Sequence, residues 1–383
     1  MNQVRRIAVL MGLELSFSRA VVRGIREYAL QRPGWLFRTG PTTMETLPHL
    51  KDWQPHGIIA GLYHEEFARR LLRLRKPVVD TGCCVEGLRV PVVDVDHEAV
   101  GCMAAEYFLA RGFTRFGYFG IQSARYSRLR EQSFCRRLAS EGHAVSICYG
   151  DYLQQSRGTS NWRVLDRQAR EWLKELPKPA AVFACNDIPA RTLADTCGLL
   201  GLNIPGDVAL LGVDNDDLEC SLAPPPLSSI AIPGERIGFE AAKLLEAMME
   251  GARRPPSVFL PPLHTVTRQS TDTMAVTDPV VAAALRFIRE KAVQGINAES
   301  VVLYVGASRR ELERKFRRIL GCSLLDEVRR TRVEHAKRLL AGTALPMPSV
   351  ARQSGFSTPQ RFALVFRQFE KVSPTAYRRQ VRG

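Results

Sequence analysis

Two sets of side chains near the C-terminal end have the types and spacing to read nucleic-acid bases. The first is Arg309, Arg310, Glu313, Arg314 and Arg317; the second is Thr358, Gln360, Arg361 and Ala363. A guanidinium can grip the O6 and N7 edge of guanine with two hydrogen bonds, and a Gln amide can grip adenine in the same way. Each set lies opposite an apolar stripe, Leu312, Phe316 and Ile319 in the first case and Phe362, Phe366 and Phe369 in the second. Spacing of i, i+4, i+7 puts a stripe on one helix face and leaves the reading set on the other.

The two stretches are copies. GASRRELERKFRRI at 306–319 matches GFSTPQRFALVFRQF at 355–369 with an offset of 49 at Gly and Ser and 50 at the stripe, one residue having been gained between. A short helix is predicted before each Gly, in Ser300-VVLYV and Ser349-VARQS, with Ser300 and Ser349 as N-caps. Gly306 and Gly355 permit a left-handed turn after it. Ser308 and Ser357 are expected to cap the next helix, with Pro359 in the first turn of the second copy. A short helix, a Gly turn and a second helix make a helix-turn-helix, whose second helix enters the major groove. The joining stretch, LLDEVRRTRVEHAKRLL at 324–340, is predicted as one helix. Its length of roughly 26 Å suits two readers in successive major grooves about 34 Å apart.

Charge supports a polyanionic partner. The 383-residue chain carries +15, and 279–383 holds 21 Lys and Arg against 8 Asp and Glu, a net +13. Residues 1–278 hold 33 against 31, a net +2, so the positive charge belongs to one compact module. Nine cysteines are scattered without a C-x-x-C or a Cys/His set at zinc spacing, which predicts reduced thiols in a cytoplasm and no metal. The start, MNQVRRIAVLMGLELS, is interrupted by Glu14 and is expected to be a buried strand rather than a signal peptide. No apolar run is long enough to predict a membrane span.

In the rest of the chain, apolar runs alternate with helical stretches. RIAVLMG precedes 18–31, GIIAGL precedes 64–75, VPVVDVD precedes 97–111, RFGYFG precedes 127–141 and AVFACN precedes 187–200; PVVDTG and VALLGVD are further strands. This rhythm predicts an α/β fold with doubly wound parallel sheets, whose ligands sit beyond the carboxyl ends of the strands. Those ends carry Asp96, Asn186–Asp187 and Asp214–Asn215, polar groups that suit a sugar. No P-loop, G-x-G-x-x-G, G-x-S-x-G or H-E-x-x-H is present, so no enzyme and no cofactor is expected; a sugar-processing enzyme is the distant alternative.

RVEHAKRLL at 332–340 and VARQSGFSTPQRFALVFRQFEKVSPTAYRR at 350–379 resemble the DNA-binding domain of the AraC/XylS family. The Gly-Phe pair, the Phe spacing, the later Ser-Pro and the Tyr-Arg all match. Leu364 stands where that family often has Arg, and Val302 where it usually has Ala. The resemblance implies DNA contacts at Arg309, Arg310, Arg314, Thr358 and Gln360, to which the exposed set adds Arg361. AVFACNDIPARTLADTCGLLGLNIPGDVALLGVDN at 181–215 and LSSIAIPGERIGFEAAKLLEAMMEG at 227–251 resemble the effector domain of LacI/GalR repressors, which shares the periplasmic sugar-binding fold. The combination, with SRAVVRGIREY at 18–28 and DWQPHGIIA at 52–60, is similar to the xylose-operon regulators.

That resemblance implies an effector domain over 1–272. Its first lobe is expected at about 5–121 and 233–251 and its second at about 122–232 and 252–270. A linker at 273–279 and an all-α DNA-binding domain with two helix-turn-helix units at 280–383 follow. It implies a sugar cleft using Arg19, Asp96, Arg130, Asp187 and Asp214, with Phe17 or Tyr126 stacking on an apolar sugar face. The implied partners are promoter or operator DNA, a small sugar (xylose favoured), a second copy of the chain, and RNA polymerase. The implied role is a cytoplasmic, sugar-dependent activator.

Overall fold

The computed structural model describes residues 4–32, 34–150, 162–253, 255–272, 278–343 and 345–382. The chain divides into two compact units, Met1–Ala275 and Val276–Gly383.

The first unit opens with β1 (Arg5–Leu10), α1 (Ser16–Leu30), β2 (Trp35–Gly40), α2 (Thr46–Trp53), β3 (Gly57–Ala60), α3 (Glu65–Leu72), β4 (Val78–Asp80), β5 (Val93–Val95) and α4 (His97–Leu109). Next come β6 (Phe116–Gly120), α5 (Arg125–Ala139), β7 (Val145–Tyr149), α6 (Trp162–Glu175), β8 (Ala180–Ala184), α7 (Asp187–Leu199), β9 (Val208–Val213), α8 (Asp217–Leu222) and β10 (Ser228–Ile230). It ends with α9 (Gly234–Met249), β11 (Val258–Leu260) and β12 (Thr265–Val266).

Two sheets result. One runs β2-β1-β3-β4, and an isolated bridge from Asp80 to Val92 carries it on to the β5–β11 pair. The other runs β12-β10-β9-β8-β6-β7. All pairings are parallel except β10 with β12. Strands buried on both faces, such as VALLGV in β9, are the continuous apolar runs that parallel sheets require. The chain passes between the sheets three times, before β6, before α9 and after β11. The lobes therefore differ from the expectation at two places. β6 already belongs to the six-stranded sheet, so the first crossing precedes Phe116 rather than following 121. β11 pairs with β5, so 252–270 is shared between the lobes.

Helices α1 and α9 cross at contact distance. A Cβ on Gly24 would sit 1.8 Å from the Glu235 carbonyl oxygen, and one on Gly238 would sit 1.9 Å from that of Val21. Only glycine lets the two backbones meet there. The crossing anchors α1, whose N-terminal turn carries Phe17.

The second unit holds α10 (Pro279–Lys291), α11 (Ala298–Val305), α12 (Arg309–Leu320), α13 (Leu324–Gly342), α14 (Met347–Gln353), α15 (Pro359–Glu370) and α16 (Pro374–Arg382). The expected linker falls largely on 273–277, outside the described residues; Asp278 caps α10 and Pro279 is already its first residue. Two cores form. Val281, Ile288, Val301, Leu312 and Phe316 build one; Val350, Phe356, Phe362 and Phe366 build the other. Helix α13 serves both, with Leu324 and Val328 in the first core and Val333, Ala336 and Leu340 in the second. Between them Arg332 donates to the carbonyls of Ala292 (2.8 Å) and Ile296 (2.7 Å). Gly355, at φ 78°, packs on the same Ala292 carbonyl, where a Cβ would approach to 2.8 Å. Among the described residues no helix is long and apolar enough to cross a membrane.

Candidate ligand cleft and nucleic-acid interface

A cavity of about 920 Å³ opens where the two sheets of the first unit face each other. The β1–α1 loop and α1 supply Glu14, Ser16 and Phe17; the β5–α4 corner supplies Asp94 and His97. Across from them, α5 brings Tyr126 and Arg130, while the ends of β8 and β9 bring Asn186, Asp187, Asp214 and Asp216.

Of the seven residues expected in the cleft, five line it: Phe17, Tyr126, Arg130, Asp187 and Asp214. Two are placed differently. The Arg19 guanidinium donates to the carbonyls of Leu13 (2.9 Å) and Glu14 (2.7 Å), so it pins the β1–α1 loop instead of lining the cavity. Asp96 caps α4, accepting from the Ala99 amide at 3.0 Å. Its place in the cleft is taken by Asp94, two residues earlier in the same strand run and 4% exposed.

Asp94 opens a buried relay. Its Oδ2 lies 3.4 Å from Nε2 of His97, and Arg130 Nε donates to His97 Nδ1 at 3.3 Å. Accepting from Arg130 leaves the imidazole proton on Nε2, towards Asp94, and burial lowers the His97 pKa, which keeps the ring neutral. Cys83 Sγ, Asp94 and His97 lie within 4.8 Å of one another. Burial pushes the Cys83 thiol up to about 12, which keeps it protonated among these groups. Arg130 is 3% exposed, also donates to the Cys185 carbonyl, and lies 5.0 Å over the Tyr126 ring. One face of Tyr126 is thereby covered, which leaves half-buried Phe17 as the freer aromatic wall.

The carboxyls at the ends of β8 and β9 divide their work. Asp187 is fully engaged: Oδ1 accepts from Ser229 Oγ (2.7 Å) and Oδ2 from the Asp216 amide (2.8 Å). Burial, then the charge of Asp214, pushes its pKa well above the carboxylate range. Asp216 caps α8 and also accepts from the Ser16 amide at 3.2 Å, a bond that spans the cleft. The Asp214 carboxylate receives no hydrogen bond from any described residue. Burial pushes it up to about 7 against the pull of Arg130, with Asp94 and Asp216 adding to the rise. Its backbone sits at φ 105°, strained for a residue with a side chain.

In the second unit each helix-turn-helix takes shape from its capping. Asn297, not Ser300, caps α11, and Ser300 is its reciprocal partner three residues on. Gly306 closes α11 at φ 67°. Ser308 caps α12 through the Glu311 amide. In the second copy α14 begins two residues before Ser349 and has no side-chain cap. Thr358, not Ser357, caps α15 by accepting from the Arg361 amide (3.2 Å), and Pro359 is the first helical residue.

Arg309, Arg310 and Arg314 are exposed on α12, and Thr358, Gln360 and Arg361 are exposed at the start of α15. Arg309 pairs with Glu299 at 3.4 Å. No described residue pairs with Arg310 or Arg314, so both guanidinium groups are available to DNA. Arg314→Ala is expected to weaken binding to a selected duplex roughly tenfold, the lower half of the range for one bidentate contact. Identical affinity throughout a salt titration would remove Arg314 from the interface.

The family model of a periplasmic binding protein-like domain matches residues 105–271, and that of a helix-turn-helix domain matches 302–380. The chain is 27% identical to the xylose operon regulatory protein of Escherichia coli K12, covering 97% of this chain and 96% of the relative. It is 24% identical to the protein of the same name from Haemophilus influenzae, covering 98% and 99%. The solved structure of a xylose-binding transcription activator superposes with a TM-score of 0.80 at 26% identity, covering 99% of each chain. Two domain models matched in one chain, and two regulators aligned along almost its full length, lead to one conclusion: the chain is a DNA-binding transcriptional regulator that joins a periplasmic binding protein-like domain to a helix-turn-helix domain.

Proposed function

We propose that this regulator binds a neutral, unphosphorylated sugar in the cleft of its first unit and, as a homodimer in the cytoplasm, activates transcription from the promoter DNA that its second unit reads. The observation that carries the reading is the charge of the cleft. Glu14, Glu45, Glu66, Asp94 and Asp216 line it beside the raised-pKa carboxyls of Asp187 and Asp214, and among the described lining residues Arg130 is the one guanidinium. Carboxylates accept hydroxyl protons and repel phosphates, so the wall selects a polyol over a sugar phosphate. Xylose is the first candidate because both full-length relatives are named for the xylose operon. Arg130 donates to ring or hydroxyl oxygens, Asp214 accepts from hydroxyls, and Phe17 stacks on an apolar sugar face. Sugar engages both walls and favours the closed lobes through its differential affinity. Closure changes how two protomers present their DNA readers, and two linked readers gain avidity without new contacts. Activation implies RNA polymerase as a further partner.

Calorimetric titration with xylose, arabinose, ribose, glucose, fructose and a pentose phosphate tests the ligand. Selective binding of xylose supports the proposal; binding of a phosphorylated sugar in preference to every neutral one overturns it. Acidity supplies a second check. The native Asp214 carboxyl rises from an ordinary 3.8 to about 7, so between those values the native state holds a proton that the unfolded chain does not. Its cost to stability is absent below the lower value, grows as pH rises and is complete above the upper one. Sugar binding that uses the ionised form should be roughly tenfold weaker at pH 6 than at pH 8, with proton release on binding at pH 6. Equal affinities at the two pH values would assign the acceptor role to another carboxyl.

A further inference from the structure

We propose that Leu364 is a specificity-determining residue of the second helix-turn-helix, reading the 5-methyl group of a thymine in the major groove. The inference rests on α15 being a groove-facing helix and adds the base that it selects. Leu364 is 73% exposed, while its neighbours Phe362, Val365 and Phe366 are buried in the second core. It stands in the middle of a polar face. Gln360 lies one turn before it, Arg361 three residues before and Arg367 three residues after, all exposed. A single exposed Leu needs no explanation on an ordinary surface. Here the internal repeat gives it a position: the offset of 50 that aligns Phe362 with Leu312 and Phe366 with Phe316 places Leu364 on Arg314. Arg314, like Arg310, is an exposed guanidinium of the first reading helix with which no described residue pairs. The same position in the second helix therefore faces the same kind of surface with a side chain that cannot donate, accept or neutralise a phosphate. The apolar feature of a major-groove base edge is the thymine methyl.

The test uses the full-length protein and a randomised double-stranded DNA library. Wild-type selection should yield a motif with at least one fixed thymine in the part read by the second unit. Replacing that thymine by deoxyuridine removes only the methyl and should weaken wild-type binding about fourfold, the worth of one buried methyl-sized group. Leu364→Ala should weaken binding to the thymine duplex to a similar degree and be indifferent to the deoxyuridine exchange. Leu364→Arg should move the selected base from thymine to guanine, which a merely structural role would not do. A motif identical in wild type, Leu364→Ala and Leu364→Arg, with no thymine whose methyl matters more to the wild type, overturns the proposal. Failure of the wild type to enrich any motif overturns the DNA-reading assignment itself, and the proposal with it.

Discussion

Asp214→Gly is expected to lose at least about 100-fold in sugar affinity while its melting temperature holds or rises. The loss follows from two hydroxyl contacts to a carboxylate, each worth about 1.5–3 kcal/mol. The stability follows from the backbone. Asp214 sits at φ 105°, where an L side chain is strained and glycine is not. Relief of roughly 1–3 kcal/mol competes with the greater unfolded-state freedom of glycine, about 1 kcal/mol. The substitution also removes a half-buried carboxyl that receives no hydrogen bond from any described residue. Strain retained at a site where it does nothing for the fold is what a ligand-binding residue would show. Calorimetry with the preferred sugar and a thermal scan of the same preparation check both halves. An ordinary dose-response in this variant would clear Asp214 of a ligand role.

Phe316→Ala should destabilise the first helix-turn-helix by about 3–5 kcal/mol and abolish specific DNA binding, while sugar binding persists. Phe316 is fully buried with Leu312, Val301 and Ile288 in a core that the first unit does not share. Its loss leaves a cavity under α12, the helix that holds Arg310 and Arg314 in place. The effector unit has its own core around the two sheets and should keep its transition. In a calorimetric scan with sugar present, one transition should move down and the sugar-stabilised one stay. A single unshifted profile would mean that the stripe of the first copy does not carry the packing assigned to it.

Much of this architecture was legible because burial imposes period. The stripes at 312, 316, 319 and at 362, 366, 369 gave both reading helices, and the parallel-sheet strands gave themselves away as unbroken apolar runs. Elements that bury little left no such trace. β2 is an edge strand with four exposed residues, among them Leu36 and Phe37, so WLFRTG does not read as a core strand. α2 buries only Leu47 and Leu50 and contains Pro48. β10, β11 and β12 are two or three residues long. Caps were misplaced by one to three residues because Ser, Thr and Asn cap equally well. The choice among them is made by which residues the core needs, as when buried Ala298 and Val301 start α11 at Asn297.

The cleft was half legible for a related reason. Strand ends announce where a ligand sits but not which of two neighbouring acids points there. VDVD at 93–96 offers Asp94 and Asp96; β5 ends at Val95, so Asp94 stays in the strand beside His97 while Asp96 falls outside it and caps α4. A signal was present, since an acid inside a buried apolar strand requires a partner. Arg19 and Arg130 are both arginines near the cleft, yet only Arg130 is on a helix face that meets it. The separation of Asp187, Asp214 and Asp216 into a braced acid, a free acceptor and a helix cap depends on contacts far apart in sequence.

The most direct test of the account is whether sugar changes DNA binding. Full-length protein would be titrated onto a duplex carrying its selected motif, with and without saturating xylose, at fixed salt. The account predicts a shift in DNA affinity of at least about fivefold, the lower bound of ordinary allosteric coupling, with the reciprocal shift in xylose affinity when DNA is present. Superimposable DNA isotherms, together with calorimetry showing that xylose is bound, would contradict it.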